Sequence, residues 1–204
     1  MSVKERAEKI GYVLQDPNQM ISKTMVFEEV ALGLQLRGIS EDEQVQCVEK
    51  ILHVTGLYPF RNWPISALSF GQKKRVTIAS VLVLEPQILI LDEPTAGQDL
   101  AHYAKMMDFL RDMNRSLAVT VLMVTHDMNL MMSYDDRTLV LDEGQLLANA
   151  APAEVLTDPA LISRVHLSKL SLQELTKKAG INDAITFAEK FSAYERGRYD
   201  ASRS

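Results

Sequence analysis

The sequence predicts an α/β fold, a mostly parallel sheet with helices packed against it, and three observations carry that expectation. Residues 88–91 (Ile-Leu-Ile-Leu) are a continuous apolar run, the pattern of a parallel strand buried on both faces, and 118–124 (Ala-Val-Thr-Val-Leu-Met-Val) read as a second buried strand. Helical patterns at 68–84 and 99–115 precede them, so helix and strand alternate. Polar residues gather at three strand ends: Gln15, then Asp92 and Glu93, then Thr125 and His126. Ligands bind outside the carboxyl ends of parallel strands, which makes this convergence the candidate site.

Composition narrows the class. The 204 residues are 47% apolar and 24% charged, with a formal charge of -5, which excludes disordered and collagen-like chains. The single Cys47 can form neither an internal disulfide nor a cysteine cluster, and it suits a reducing compartment. His53, His102 and His166 are scattered, and their spacing with Cys47 suggests no zinc site. No apolar run reaches the roughly 18 residues of a membrane helix, and the start Met-Ser-Val-Lys-Glu-Arg lacks a secretory apolar core. The acidic balance argues against nucleic acid as a partner.

The elements follow in order. Residues 10–14 read as a strand closed by Gln15-Asp16-Pro17-Asn18-Gln19. Helices are expected at 25–36 and 41–55, the second capped by Ser40, supported by Glu41, Asp42 and Glu43, and stopped at Gly56. Met20, Met25, Leu32, Leu34 and Leu36 read as core packing, and Trp63, between Pro59 and Pro64, as a packing anchor. Arg61 and the Lys73-Lys74-Arg75 run read as solvated. Beyond the strand at 118–124, a short helix at 127–133 leads to a strand at 138–142. Asp142-Glu143-Gly144 then turns the chain into a strand at 145–149. From Pro152 the pattern is helical, at 152–156, 158–166, 171–179 and 182–194, before a fraying end.

The polar strand ends form a ligand-site hypothesis, with a solvated strand end as the alternative for Asp92-Glu93 alone. Ser69 and the amide of Gly71 open a helix, where unpaired NH groups bind phosphate oxygens. Yet Gly33 and Gly38, which have phosphate-loop spacing, are followed by Ile39-Ser40 rather than Lys-Ser/Thr, so they form no such loop.

Taken together with Leu68-Ser69-Phe70-Gly71-Gln72, this order resembles the ATP-binding cassette (ABC) ATPases over residues 8 to about 150. The resemblance implies a P-loop NTPase-like core with helices on both faces of the sheet. It places the ATPase domain at 1–150, with a helical subdomain at about 22–85, and a C-terminal helical appendage at 151–204. In that likeness Gln15 is the loop glutamine that senses magnesium, 68–72 the signature motif with Phe70 where a second glycine is usual, Asp92 the metal carboxylate and Glu93 the catalytic glutamate. Asp92 would hold magnesium, since a hard cation prefers oxygen ligands, and Glu93 would orient or deprotonate a water. Ala96 to Asp99 match the D-loop and His126 the switch histidine. ATP and Mg2+ are the implied cofactors. Ser69, Gly71, Gln72 and Asp99 would face ATP held by a second ABC ATPase subunit in a homo- or heterodimer. Gln15-Asp16-Pro17-Asn18-Gln19-Met20-Ile21 and Pro94-Thr95-Ala96-Gly97-Gln98-Asp99 look most like energy-coupling-factor ATPases of vitamin and metal-ion uptake. Residues 22–66 would then dock to a transmembrane coupling protein, with the chain peripheral on the cytoplasmic face of the membrane.

Family members place a Gly-rich phosphate loop and some 60 residues ahead of the segment that Ser2 begins here. The resemblance therefore implies an N-terminally truncated cassette, inactive as an isolated chain. Its missing strand would lie between the strand ending in Asp92 and the strand leading to His126, leaving a gap, so that the isolated chain would aggregate, stay partly unfolded, or close the gap with a rearranged or partner-donated strand. Two alternatives stay open: a dead cassette fragment acting only as a binding partner, and a soluble ABC protein outside transport.

Overall fold

The computed structural model describes residues 2–96, 100–164, 183, 185–187, 190–191 and 193–194. Asp99 and the helix expected at 171–179 lie outside the described residues, as does part of the one expected at 182–194. The chain divides into two compact units, Met1–Thr125 and His126–Ser204.

The first unit begins with a short helix, α1 (Val3–Ala7), and the strand β1 (Ile10–Val13). Two amphipathic helices follow, α2 (Val26–Leu36) and α3 (Glu41–Val54). Next come α4 (Phe70–Leu82), β2 (Ile88–Asp92), α5 (Leu100–Leu117) and β3 (Thr120–Val124). The strands form one parallel sheet in the order β1-β2-β3, with Val13 opposite Leu91 and Leu91 opposite Met123. That register brings all three carboxyl ends to the same edge.

Apolar residues at helical spacing explain the packing. Val26, Val30 and Ala31 on α2, Val48, Ile51 and Leu52 on α3, and Val76, Ile78 and Ala79 on α4 are buried together with Leu57. Leu34 joins them, whereas Leu36, expected in the core, is 82% exposed. It sits two residues on from Leu34 and therefore on another side of the helix. On the sheet, Val13, Leu89 and Leu91 are buried, and α4 packs on β1. Gly11 permits this approach, because a β-carbon there would overlap Val81 of α4 and come within 3.3 Å of Pro86.

Two expectations are corrected here. No gap separates the strand of Asp92 from the strand leading to His126: β2 and β3 pair residue by residue from Ile88–Thr120 to Asp92–Val124. The intervening strand was an expectation of the resemblance, and the apolar runs themselves carry no information on strand order. Nor is the run at 118–124 buried on both faces. Leu122 and Val124 are 40% and 49% exposed and alternate with half-buried Val121 and Met123, the signature of a strand with one covered face.

The second unit holds α6 (Met128–Tyr134), the antiparallel hairpin β4 (Thr138–Asp142) and β5 (Gln145–Ala150), then α7 (Pro152–Thr157) and α8 (Pro159–Arg164). Glu143 and Gly144 both take positive φ (46° and 76°), as a two-residue hairpin turn requires. Met128, Met131, Met132, Ala153 and Leu156 form its core, and Arg164 pairs with Asp142 at 3.3 Å. Among the described residues no helix is long and apolar enough to cross a membrane. The mixed α/β class and the mostly parallel core sheet expected from the sequence are both present.

Candidate functional site

The parallel register sets the site. Gln15 lies two residues beyond the last paired residue of β1 and is exposed. Asp92 ends β2, Glu93 follows it, and Thr125 follows β3. These four therefore share one sheet edge. The Tyr12 hydroxyl of β1 donates to Asp92 Oδ2 at 3.2 Å. Partial desolvation, reinforced by that hydrogen bond and the Asp92 charge, holds the Tyr12 phenol above its usual range.

Glu93 is fixed from several sides. Its backbone NH donates to the Val124 carbonyl at 2.9 Å, extending the β2–β3 ladder by one residue. Its Oε2 accepts the Thr125 hydroxyl at 3.2 Å. The backbone then turns at φ 41°, in the left-handed region that costs an ordinary L-residue roughly 1–2 kcal/mol. Ala96 NH closes the turn on the Glu93 carbonyl at 3.1 Å.

Sequence reasoning missed the side chain behind this turn. Lys74, read as part of a solvated basic run, is 3% exposed, and its Nζ donates to the carbonyls of Glu93 (3.1 Å) and Pro94 (2.8 Å). Desolvation lowers its pKa, against the raising influence of Glu93 and Asp16. Arg75 is also half-buried, stacked 4.7 Å over the Phe109 ring, and its pKa too is lowered by desolvation. A signal existed: Lys74 stands four residues before Ile78 and eight before Leu82, on the buried stripe of α4.

Ser69 caps α4. Its Oγ accepts the Gln72 NH at 3.3 Å, and the Gln72 side chain accepts the Ser69 NH at 2.9 Å, a reciprocal capping box. Gly71 lies in the first turn, and a β-carbon there would meet nothing within 4 Å. The missing side chain therefore relieves no crowding inside this chain. His126 opens the second unit, is exposed, and precedes α6, whose Leu130 NH is bonded to Asp127 Oδ1 at 3.1 Å.

The donor set fits a magnesium ion shared with phosphate. Asp92 and Gln15 offer hard oxygen atoms at one edge, and Mg2+ is commonly held by one or two carboxylates with water and phosphate oxygens. Among the described residues no group of three or more His, Cys, Asp or Glu is arranged to cage a metal by itself.

Comparisons with known proteins bear on the family and the fold. A family model described as ABC transporter matches residues 1–96. A protein of Enterococcus faecalis assigned as an ABC transporter ATP-binding protein is 63% identical over 195 residues, covering 96% of this chain and 34% of that protein. A Lactiplantibacillus plantarum protein of the same description is 58% identical over 195 residues, with the same coverage. The chain thus spans about a third of the length of these curated relatives. The solved structure of cbiO1 from Clostridium perfringens, described as part of the ABC transporter complex cbiONQ, superposes with a TM-score of 0.70 at 37% identity, covering 85% of this chain and 68% of that one.

Proposed function

The chain belongs to the ABC transporter ATP-binding family, and on that premise we propose that it supplies the acidic turn and signature helix of an ATPase driving an energy-coupling-factor importer. The observation that carries this reading is the Asp92–Glu93 turn at the carboxyl edge of a parallel sheet, tied through Lys74 to a serine-capped helix. In this reading Glu93 orients and deprotonates the water that attacks the terminal phosphorus of ATP, and His126 contacts the phosphate where charge grows. Asp92 and Gln15 hold Mg2+, which when bound neutralises charge on the phosphate oxygens. Ser69 and Gln72 present their side-chain hydroxyl and amide, and Gly71 its backbone NH, to ATP held by a second ABC ATPase subunit, with Asp99 at the same seam.

Partners and organisation belong to the same proposal. Residues 1–150 act as the ATPase domain and 151–204 as an appendage, while residues 22–66 dock to a transmembrane coupling protein on the cytoplasmic face of the membrane. The likeness to cbiO1, described as part of an ABC transporter complex, supports a place in a transporter assembly. By the resemblance of 15–21 and 94–99 to energy-coupling-factor ATPases, the cargo is of the vitamin or metal-ion class. No Gly-x4-Gly-Lys-Ser/Thr stands within the 204 residues, so the chain alone binds MgATP weakly and turns it over negligibly.

The test joins the chain behind a segment bearing Gly-x4-Gly-Lys-Ser/Thr and pairs it with a complete ABC ATPase. This completed assembly should hydrolyse ATP, and the isolated chain should not. The absent loop motif also favours a second reading, a binding-only cassette that serves its partner's nucleotide. A pair formed without the added segment, active only while Ser69 is intact, would support that reading.

A further inference from the structure

The acidic turn has a buried cation behind it, Lys74, which the reading above uses as a tie to α4 and to which it gives no part in the hydrolytic step. A lysine ammonium is rarely taken out of water, and burial is tolerated when its hydrogen bonds are satisfied. Lys74 meets that condition with the Glu93 and Pro94 carbonyls, two consecutive acceptors on the strained side of the turn. The Phe70 ring lies 5.5 Å from the same Nζ and covers it with an aromatic face. Phe70 is the residue standing where the signature motif usually has a second glycine, so the departure from that motif and the buried lysine meet at one point.

We propose that Lys74 is a positioning residue for Glu93. By pinning two successive carbonyls it holds the left-handed backbone at Glu93, and with it the direction in which the carboxylate leaves the turn. Lys74 belongs to α4, which begins at the Ser69 cap. The same ammonium therefore ties the turn to the helix that faces the second nucleotide. A displacement of about 1 Å at a reacting group can cost on the order of 100-fold in rate, so a support of this kind is felt in kcat.

The inference rests on the proposed role of Glu93, and the test separates the two. Amide hydrogen exchange on the 204-residue chain without nucleotide reads the turn directly, through the Ala96 NH bonded to the Glu93 carbonyl. In Lys74→Met, which keeps the length of the side chain and removes the donors, exchange across 93–96 should rise about 10-fold or more, while α2 and α3 stay unchanged. In the completed assembly the same variant should lower kcat by about 30- to 100-fold with KM for MgATP within about threefold, and Lys74→Arg, which retains donors, should recover most of the loss. If Lys74→Met fails to fold, Lys74→Leu, shorter and equally without donors, makes the same comparison. Unchanged exchange at 93–96, or raised exchange with wild-type kcat, overturns the proposal. A wild-type assembly without hydrolysis overturns the role of Glu93 instead, and the exchange data still decide whether Lys74 holds the turn.

Discussion

The turn after β2 and the start of α4 carry the two halves of the candidate chemistry, and they are built in opposite ways. Glu93 is held by its neighbours on every accessible backbone group: Val124 at the NH, Lys74 and Ala96 at the carbonyl, Thr125 at the side chain. The start of α4 is closed on itself by the Ser69–Gln72 capping box, and at Gly71 it faces open space. A group that must aim at a reacting atom needs an imposed direction, and the strain of φ 41° persists only where surroundings over-determine it. A helix start that receives a phosphate from another subunit needs free access and NH groups in a fixed fan, which local capping provides. Under the proposed function, the contrast separates a carboxylate aimed from within the sheet from a helix start left open toward a partner subunit.

Substitutions sharpen this contrast in decreasing order of effect. Ser69→Arg places a bulky cation at the open helix start, and in a pair with a complete ABC ATPase it should lower kcat by about 100- to 1000-fold, as loss of a preorganised donor does. Steady-state ATPase with light scattering to confirm pairing checks it, and unaltered hydrolysis would break the interface half of the comparison. Gly11→Ala forces a β-carbon into Val81, where α4 rests on β1. It should destabilise the chain by about 1–3 kcal/mol in urea unfolding. Ser69→Ala removes the cap oxygen that accepts from Gln72 and should cost about 1 kcal/mol in the same measurement. Gly71→Ala should be neutral or stabilising by up to about 1 kcal/mol, since the site is open and alanine favours the helix. In the pair, however, the same methyl group should reduce hydrolysis. A stability loss with unchanged hydrolysis would reverse the reading of Gly71.

Local chemistry was legible in the sequence because each signal acts over a few residues. Ser69 at the head of a helix and the Glu143–Gly144 turn follow from residue type and spacing, while the reciprocal Ser69–Gln72 box emerged only in the structure. The shared edge of Gln15, Asp92, Glu93 and Thr125 was legible as well, because parallel strands bring their carboxyl ends together. Strand order was not, since the runs at 88–91 and 118–124 say what each segment is and nothing of which segment pairs with it. Lys74 was hidden by its own charge: the basic run suggested water, whereas helical spacing from Ile78 and Leu82 put it on the buried stripe. The ammonium is tolerated there because two carbonyls of the β2 turn come to meet it, a long-range arrangement that no local pattern records.

The central claim is that the over-determined turn after β2 directs the hydrolytic carboxylate. Single-turnover hydrolysis of MgATP by the completed assembly, wild type against Glu93→Gln, tests it most directly. A fall of at least about 100-fold, with ATP still bound and the melting temperature unchanged, is the expected result for loss of a general base. Equal rates in the two proteins would contradict the account.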